Sequence, residues 1–159
     1  MTEEEKIKQE LEEKFCCLKD KVMIKRERRI FADVPIEKFD EIFAFTVKQM
    51  HFDAISAITG MDSGDFFTVM YHLNKEGRIL LNLSISVNKN NPSIKTVIPY
   101  FASADVYERE IIDLLGIQVE GLPEGNRYPL PDGWPTNEHP LRKDWKPSQS
   151  KKEAPNALL

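Results

Sequence analysis

Residues 79–87 constrain the fold most. Ile79, Leu81, Leu83, Ile85 and Val87 alternate with Leu80, Asn82, Ser84 and Ser86. Successive side chains of a strand point to opposite faces, so this period of two predicts a half-buried strand in an antiparallel sheet. The segment 66–73 alternates in the same way, with Phe67, Val69, Tyr71 and Leu73 on one side and Thr68, Met70 and His72 on the other. The turn formers 74–77 join the two. Residues 52–59 are compatible with a preceding strand, and 94–100 with a final one after the turn at 88–92. Residues 21–34 mix basic and apolar side chains and are read as a strand pair or hairpin.

Helices complete the pattern. Thr2 and Glu5 have capping-box spacing, and Ile7, Leu11 and Phe15 recur every fourth residue, which predicts a helix over 3–15. Pro35 opens a second helix, with Ile36, Phe39, Phe43, Val47 and Met50 on one packing stripe. A third runs from about 104 to 115, with Ser103 as N-cap, Gly116 just past its end, and Tyr107, Ile111, Leu114 and Leu115 as its buried stripe. A mostly antiparallel sheet packed against helices is an α+β fold. Composition then changes: seven of the ten prolines and both tryptophans lie between residues 123 and 159. Proline at that density opposes helix and sheet, while Trp134, Trp145, Tyr128, Leu130 and Leu141 do not suit a free linker. We expect an α+β unit over 1–121 and an extended docking arm over 122–159, laid on a surface of its own or of a partner, with a frayed end from 147 on.

Charge and motif content narrow the chemistry. The net charge of −4, from 26 acids and 22 bases, argues against a nucleic-acid binder. No apolar run is long enough to span a bilayer, and the acidic N-terminus does not resemble a secretory signal. The expectation is a cytosolic chain, or one held at a membrane by partners. The only cysteines, Cys16 and Cys17, are neighbours; they are read as reduced thiols at a helix-to-strand junction and cannot assemble an iron–sulfur cluster alone. His51, His72 and His139 have no metal-ligand spacing, and the seven glycines form no phosphate loop.

Two clusters could carry function. Asp105, Arg109 and Asp113 are spaced four apart on the third helix, with Glu108 and Glu110 beside Arg109. These acids could hold a metal or act as general acid and base. The plainer reading, i,i+4 ion pairs on a solvated helix, is favoured, since Arg109 would repel a cation. The second cluster is Pro140-Leu141-Arg142-Lys143-Asp144-Trp145, a short basic run after a proline, read as a docking segment rather than a solvated tail. Composition and spacing alone reach an interaction protein more readily than an enzyme, with no catalytic constellation.

The stretch 103–117, which reads S-A-D-V-Y-E-R-E-I-I-D-L-L-G-I, followed by Gly121, Arg127, Pro131, Trp134 and Pro140-Leu141-Arg142-Lys143-Asp144, closely resembles the signature of the 30 kDa subunit of respiratory complex I. The same subunit occurs in membrane-bound energy-converting hydrogenases. Val106 and Leu122 stand where that pattern often has an aromatic residue and a histidine. The resemblance implies a non-catalytic subunit of the peripheral arm, on the cytoplasmic side of the membrane and held there by its partners. It implies no cofactor on this chain. Iron–sulfur clusters, and in hydrogenase relatives nickel–iron, belong to partners: a hydrogenase-like large subunit and a cluster-bearing small subunit, with the membrane arm reached indirectly. Asp105, Glu108, Arg109, Glu110, Asp113, Gly116, Arg127, Trp134 and the run Pro140, Leu141, Arg142, Lys143 and Asp144 become interface and folding residues. A hydrogenase-type or ferredoxin-linked complex is expected over an NADH:quinone enzyme. The alternatives are a free-standing enzyme using Glu108, Glu110 or Asp113, and a soluble adaptor outside redox chemistry.

Overall fold

The computed structural model describes residues 1–147. The expected tail end therefore lies outside the described residues from 148 on. Helix α1 (Glu3–Lys14) begins at the capping box read from the sequence. Thr2 Oγ1 accepts from the Glu5 amide at 3.2 Å, and the Thr2 amide donates back to Glu5 Oε2 at 2.7 Å. Strands β1 (Val22–Arg26) and β2 (Arg29–Asp33) form the expected hairpin. Helix α2 (Phe39–Lys48) follows a short 3-10 turn at Ile36–Lys38. That turn shifts the packing stripe: Ile36 is exposed and Val47 only half-buried, while Phe39, Ile42, Phe43, Thr46 and Met50 are buried.

Strands β3 (Ala54–Asp62), β4 (Phe66–Lys75) and β5 (Ile79–Asn88) form the antiparallel meander. The five-stranded sheet has the order β1-β2-β5-β4-β3. One pairing departs from antiparallel: β2 lies parallel to β5, with Ile30 opposite Leu81 and Ala32 opposite Leu83. The alternation read at 79–87 and 66–73 sets the buried face. Phe67, Val69, Tyr71, Leu73, Ile79, Leu81, Leu83, Ile85 and Val87 are all buried there. Burying a large apolar side chain contributes about 1.5–3 kcal/mol. Phe39 and Phe43 close over Tyr71 from α2, with ring centroids 4.5 and 5.6 Å away. On the other face, His72 is held between Thr59 and Asn82 at 2.9 and 2.6 Å.

The strand expected over 94–100 is corrected. Strand β6 covers only Ser93–Lys95 and pairs in parallel with β7 (Gln118–Glu120), apart from the main sheet. Two backbone groups end it. The Val97 amide is taken by Glu108 at 2.7 Å, and Pro99 has no amide to offer a ladder. The chain turns instead, with the Tyr100 and Phe101 amides both donating to the Val97 carbonyl. Helix α3 (Ala104–Leu115) then packs on β3. Gly60 permits the approach, because a Cβ there would stand 2.5 Å from Leu115 Cδ1.

Candidate functional site

The C-terminal end of α3 organises the chain that follows. The last carbonyls of a helix have no intrahelical donor and must find one elsewhere. Gly116 takes the left-handed conformation, φ +70°, and its amide closes the helix on the Ile112 carbonyl. The next carbonyls are met by the arm. His139 Nδ1 donates to the Asp113 carbonyl at 2.9 Å, so that ring nitrogen carries the proton. The Leu141 amide donates to the Leu114 carbonyl at 3.0 Å. Arg142 Nε donates to the Leu115 carbonyl at 2.6 Å, and its Nη2 lies 3.5 Å from the Gly116 carbonyl. The guanidinium thus sits at the negative end of the helix dipole. A Cβ on residue 116 would come within 2.5 Å of His139 Nε2 and 2.7 Å of Arg142 Nη2, so glycine is needed for space as well as for φ.

Acids of α3 hold the arm at further points. Asp113 is buried; it accepts from Arg127 Nε at 2.8 Å and from the Leu130 amide at 3.0 Å. Arg127 in turn donates to the Trp134 carbonyl at 2.6 Å. Arg109 pairs with Asp105 and donates to the Pro123 carbonyl at 2.9 Å. Glu108 is fully buried, accepting from Thr96 Oγ1 at 2.6 Å and from the Val97 amide. Burial pushes its carboxyl above the ordinary glutamate value, against the lowering effect of those two donors. Trp134 and Trp145 stack with centroids 6.0 Å apart, and Glu138 accepts from both indoles, through its carbonyl and its carboxylate.

The far end of the arm is tied to the β3–β4 hairpin. Asp62 has a buried carboxylate that accepts from the Gly64 amide at 2.9 Å, the Lys143 amide at 2.9 Å and Lys89 Nζ at 2.6 Å. Arg142 and Lys89 both lie over the Phe67 ring, 5.2 and 5.1 Å from its centroid.

Across residues 32–151 the chain matches the family model described as respiratory-chain NADH dehydrogenase, 30 Kd subunit. The chain belongs to this family. It is 34% identical over 102 residues to a subunit of NADH-quinone oxidoreductase from Chloroherpeton thalassium, covering 62% of this chain and 42% of that one. It is 31% identical over 120 residues to a subunit of F(420)H(2) dehydrogenase from Methanosarcina mazei, covering 74% of this chain and 75% of that one. The chain thus spans less than half the length of most of the bacterial relatives it matches. Two solved structures share the fold. One component of the membrane-bound sulfane sulfur reductase, an archaeal respiratory membrane complex, matches at TM-score 0.78 and 23% identity over 91% of this chain and 86% of that one. A trypsin-resistant fragment of Nqo5 matches at TM-score 0.62 and 26% identity, over 76% and 98%.

Within this 30 kDa-family chain the charged cluster on α3 is divided rather than assembled. Asp105 and Arg109 pair with each other, Asp113 turns to Arg127, and Glu108 turns inward to Thr96 and Val97. Glu110 shares a shallow depression with Gly60, Leu114 and Leu141. In the 140–144 run the Leu141 amide, the Arg142 side chain and the Lys143 amide face inward. The side chains of Leu141, Lys143 and Asp144 remain exposed. No group of three or more His, Cys, Asp or Glu suited to a metal occurs among the described residues. Sequence reasoning missed Asp62, Thr96 and His139 as members of this site. Asp62 and Thr96 lie far from the signature in sequence, and His139 reads as a lone histidine until α3 is placed beneath it.

The Lys89 ammonium, with the Lys143 and Gly64 amides, holds the Asp62 carboxyl far below the usual carboxylate range. A depressed folded value contributes stability that is complete above the unfolded value, about 3.9, and is lost as pH falls toward the folded one. Asp62→Asn should therefore unfold at a less acidic midpoint below neutrality than the parent, by circular dichroism. Coincident acid titration curves of parent and variant would refute this role.

Proposed function

We propose that this chain is a peripheral-arm subunit of a membrane-bound, complex I-related oxidoreductase, acting by assembly rather than by catalysis. It packs against a hydrogenase-like large subunit and an iron–sulfur small subunit, in a complex that couples electron transfer to ion translocation. The observation that carries this reading is the family match over 32–151, with the fold likeness to a respiratory membrane complex in support. The site adds a physical reason. Glu108, Arg109 and Asp113 each commit their charge to bonds that hold the arm or the 96–97 turn in place, which is what a scaffold needs. No helix of the described residues is long and apolar enough to cross a membrane, so attachment through partners on the cytoplasmic side fits the reading.

The test is a mild-detergent pull-down of the tagged chain from its native membranes, with mass spectrometry and iron and nickel analysis. Iron–sulfur and hydrogenase-like subunits should co-purify. Nickel assigns the complex to the hydrogenase type; flavin with an NADH-oxidising module assigns it to complex I proper. A metal-free chain recovered alone would overturn the proposal.

A further inference from the structure

At the opposite side of the sheet from β3, strand β1 is an edge: only β2 pairs with it. No other backbone hydrogen bond reaches residues 22–26 among the described residues. Helix α1 also packs on β1, and the edge still carries exposed apolar side chains. Met23 is 45% exposed and Ile24 is 37% exposed. Around them, residues 19–29 hold six bases, Lys19, Lys21, Lys25, Arg26, Arg28 and Arg29, against two acids, Asp20 and Glu27. That is a local excess of four positive charges in a chain whose net charge is −4. Arg28 pairs with its neighbour Glu27, and Lys25 lies over the Phe31 ring. No carboxylate is within ion-pair distance of Lys19, Lys21, Lys25 or Arg26 among the described residues.

We propose that the free edge of β1 takes an extended, acidic segment of a partner protein as a sixth strand of the sheet. The proposal deepens the assembly reading, and rests on it only in drawing the segment from a companion subunit. An unpaired edge supplies main-chain donors and acceptors, and flanking side chains supply selectivity. Charge chooses the occupant. Lysines on an edge discourage pairing with a like strand, so a second copy, which brings the same six bases, is disfavoured and an acidic strand is favoured. Strand geometry separates this from a lipid surface. Met23 sits opposite Phe31 and Ile24 opposite Ile30, so the two exposed apolar side chains point to opposite faces. They cannot enter one membrane plane together, but they can flank an added strand from both sides. A register shift between Ile24 and Arg26 leaves Val22–Ile24 as the regular part of the edge, with the basic residues 25–26 following it.

The test uses the full chain with three probes. The first is a labelled peptide of about six residues, a common strand length, alternating Glu and Val. The second has the same composition with the Glu and Val in separate blocks. The third is vesicles of phosphatidylcholine and phosphatidylglycerol. The alternating peptide should bind by fluorescence anisotropy, weaken as salt rises, and slow hydrogen exchange at alternate amides of 22–26. The variant Arg26→Glu lies on an exposed side chain with no ion pair among the described residues and should keep its melting temperature while binding several-fold more weakly. Equal binding of the block peptide without protection of β1 amides would overturn the proposal in favour of unspecific charge attraction. Binding to vesicles but not to the peptide would overturn it in favour of a lipid surface, and binding to none of the probes would also overturn it. Because no partner subunit enters this assay, its failure is separate from failure of the pull-down.

Discussion

Replacing Glu108 with alanine is expected to cost about 3 kcal/mol of stability, the scale for emptying a buried site and orphaning its donors. The carboxylate is fully buried, and it alone answers the Val97 amide while also holding Thr96. Chemical denaturation followed by circular dichroism measures the loss. Glu108→Gln separates the hydrogen bonds from the charge. Its carbonyl still accepts from Val97, and its amide can donate to the Thr96 hydroxyl. Burial raises the Glu108 carboxyl above its ordinary value of 4.5. A raised folded value contributes stability that is present below the unfolded value and lost as pH rises through the folded one. Stability of the parent minus that of the glutamine variant should therefore fall as pH rises above 4.5, leaving the glutamine form relatively better off at neutral pH. A difference that stays flat, or an alanine variant as stable as the parent, would remove Glu108 from this role. The same pair of variants addresses the enzyme alternative, since a general acid at Glu108 would predict lost turnover rather than gained stability in the glutamine form.

Asp113→Ala is expected to unfasten the arm. Breaking a largely buried charge pair costs about 3 kcal/mol, because the Arg127 guanidinium and the Leu130 amide lose their shared acceptor. In a chain of this size that lowers the melting temperature by roughly 6–12 °C. The loss should also be local. Arg127 bridges Asp113 to the Trp134 carbonyl, and Trp134 stacks on Trp145. Tryptophan emission should shift to the red and hydrogen exchange rise over 127–145, while β4 and β5 stay protected. If the variant melts with the parent and both tryptophans keep their emission, Asp113 is not what holds the arm. Asp113→Asn keeps an acceptor for Leu130 but not the charge for Arg127, and should fall between the two.

Short-range physics made much of this protein legible. The alternation at 66–73 and 79–87 identified both strands and their buried faces, because a strand with one face in the core must repeat every two residues. The capping box at Thr2 and the glycine at 116 marked helix ends, because those backbone groups can be satisfied only by a few residue types. Spacing on α3 was less informative. Four-residue intervals place Asp105, Arg109 and Asp113 on neighbouring turns, but they do not say which partner each carboxylate will take. Asp113 chose Arg127, fourteen residues on, and Glu108 chose a backbone amide eleven residues back.

Sequence by itself determined the α+β class, the strands at 66–73 and 79–87 and the three helices, all of which depend on neighbours within a turn or a strand; the family resemblance rested on a longer pattern of residues over 103–144. Tertiary structure decided the rest: that β2 lies parallel to β5, that the strand expected over 94–100 ends at Lys95, that the proline-rich arm as far as 147 caps its own α3, and that Asp62 grips Lys143 across 81 residues. The parallel pairing follows from where the chain crosses the sheet; the other three share one physical reason. An orphan carbonyl or a buried carboxylate must find a donor, and which donor it finds depends on what the folded chain brings within about 3 Å.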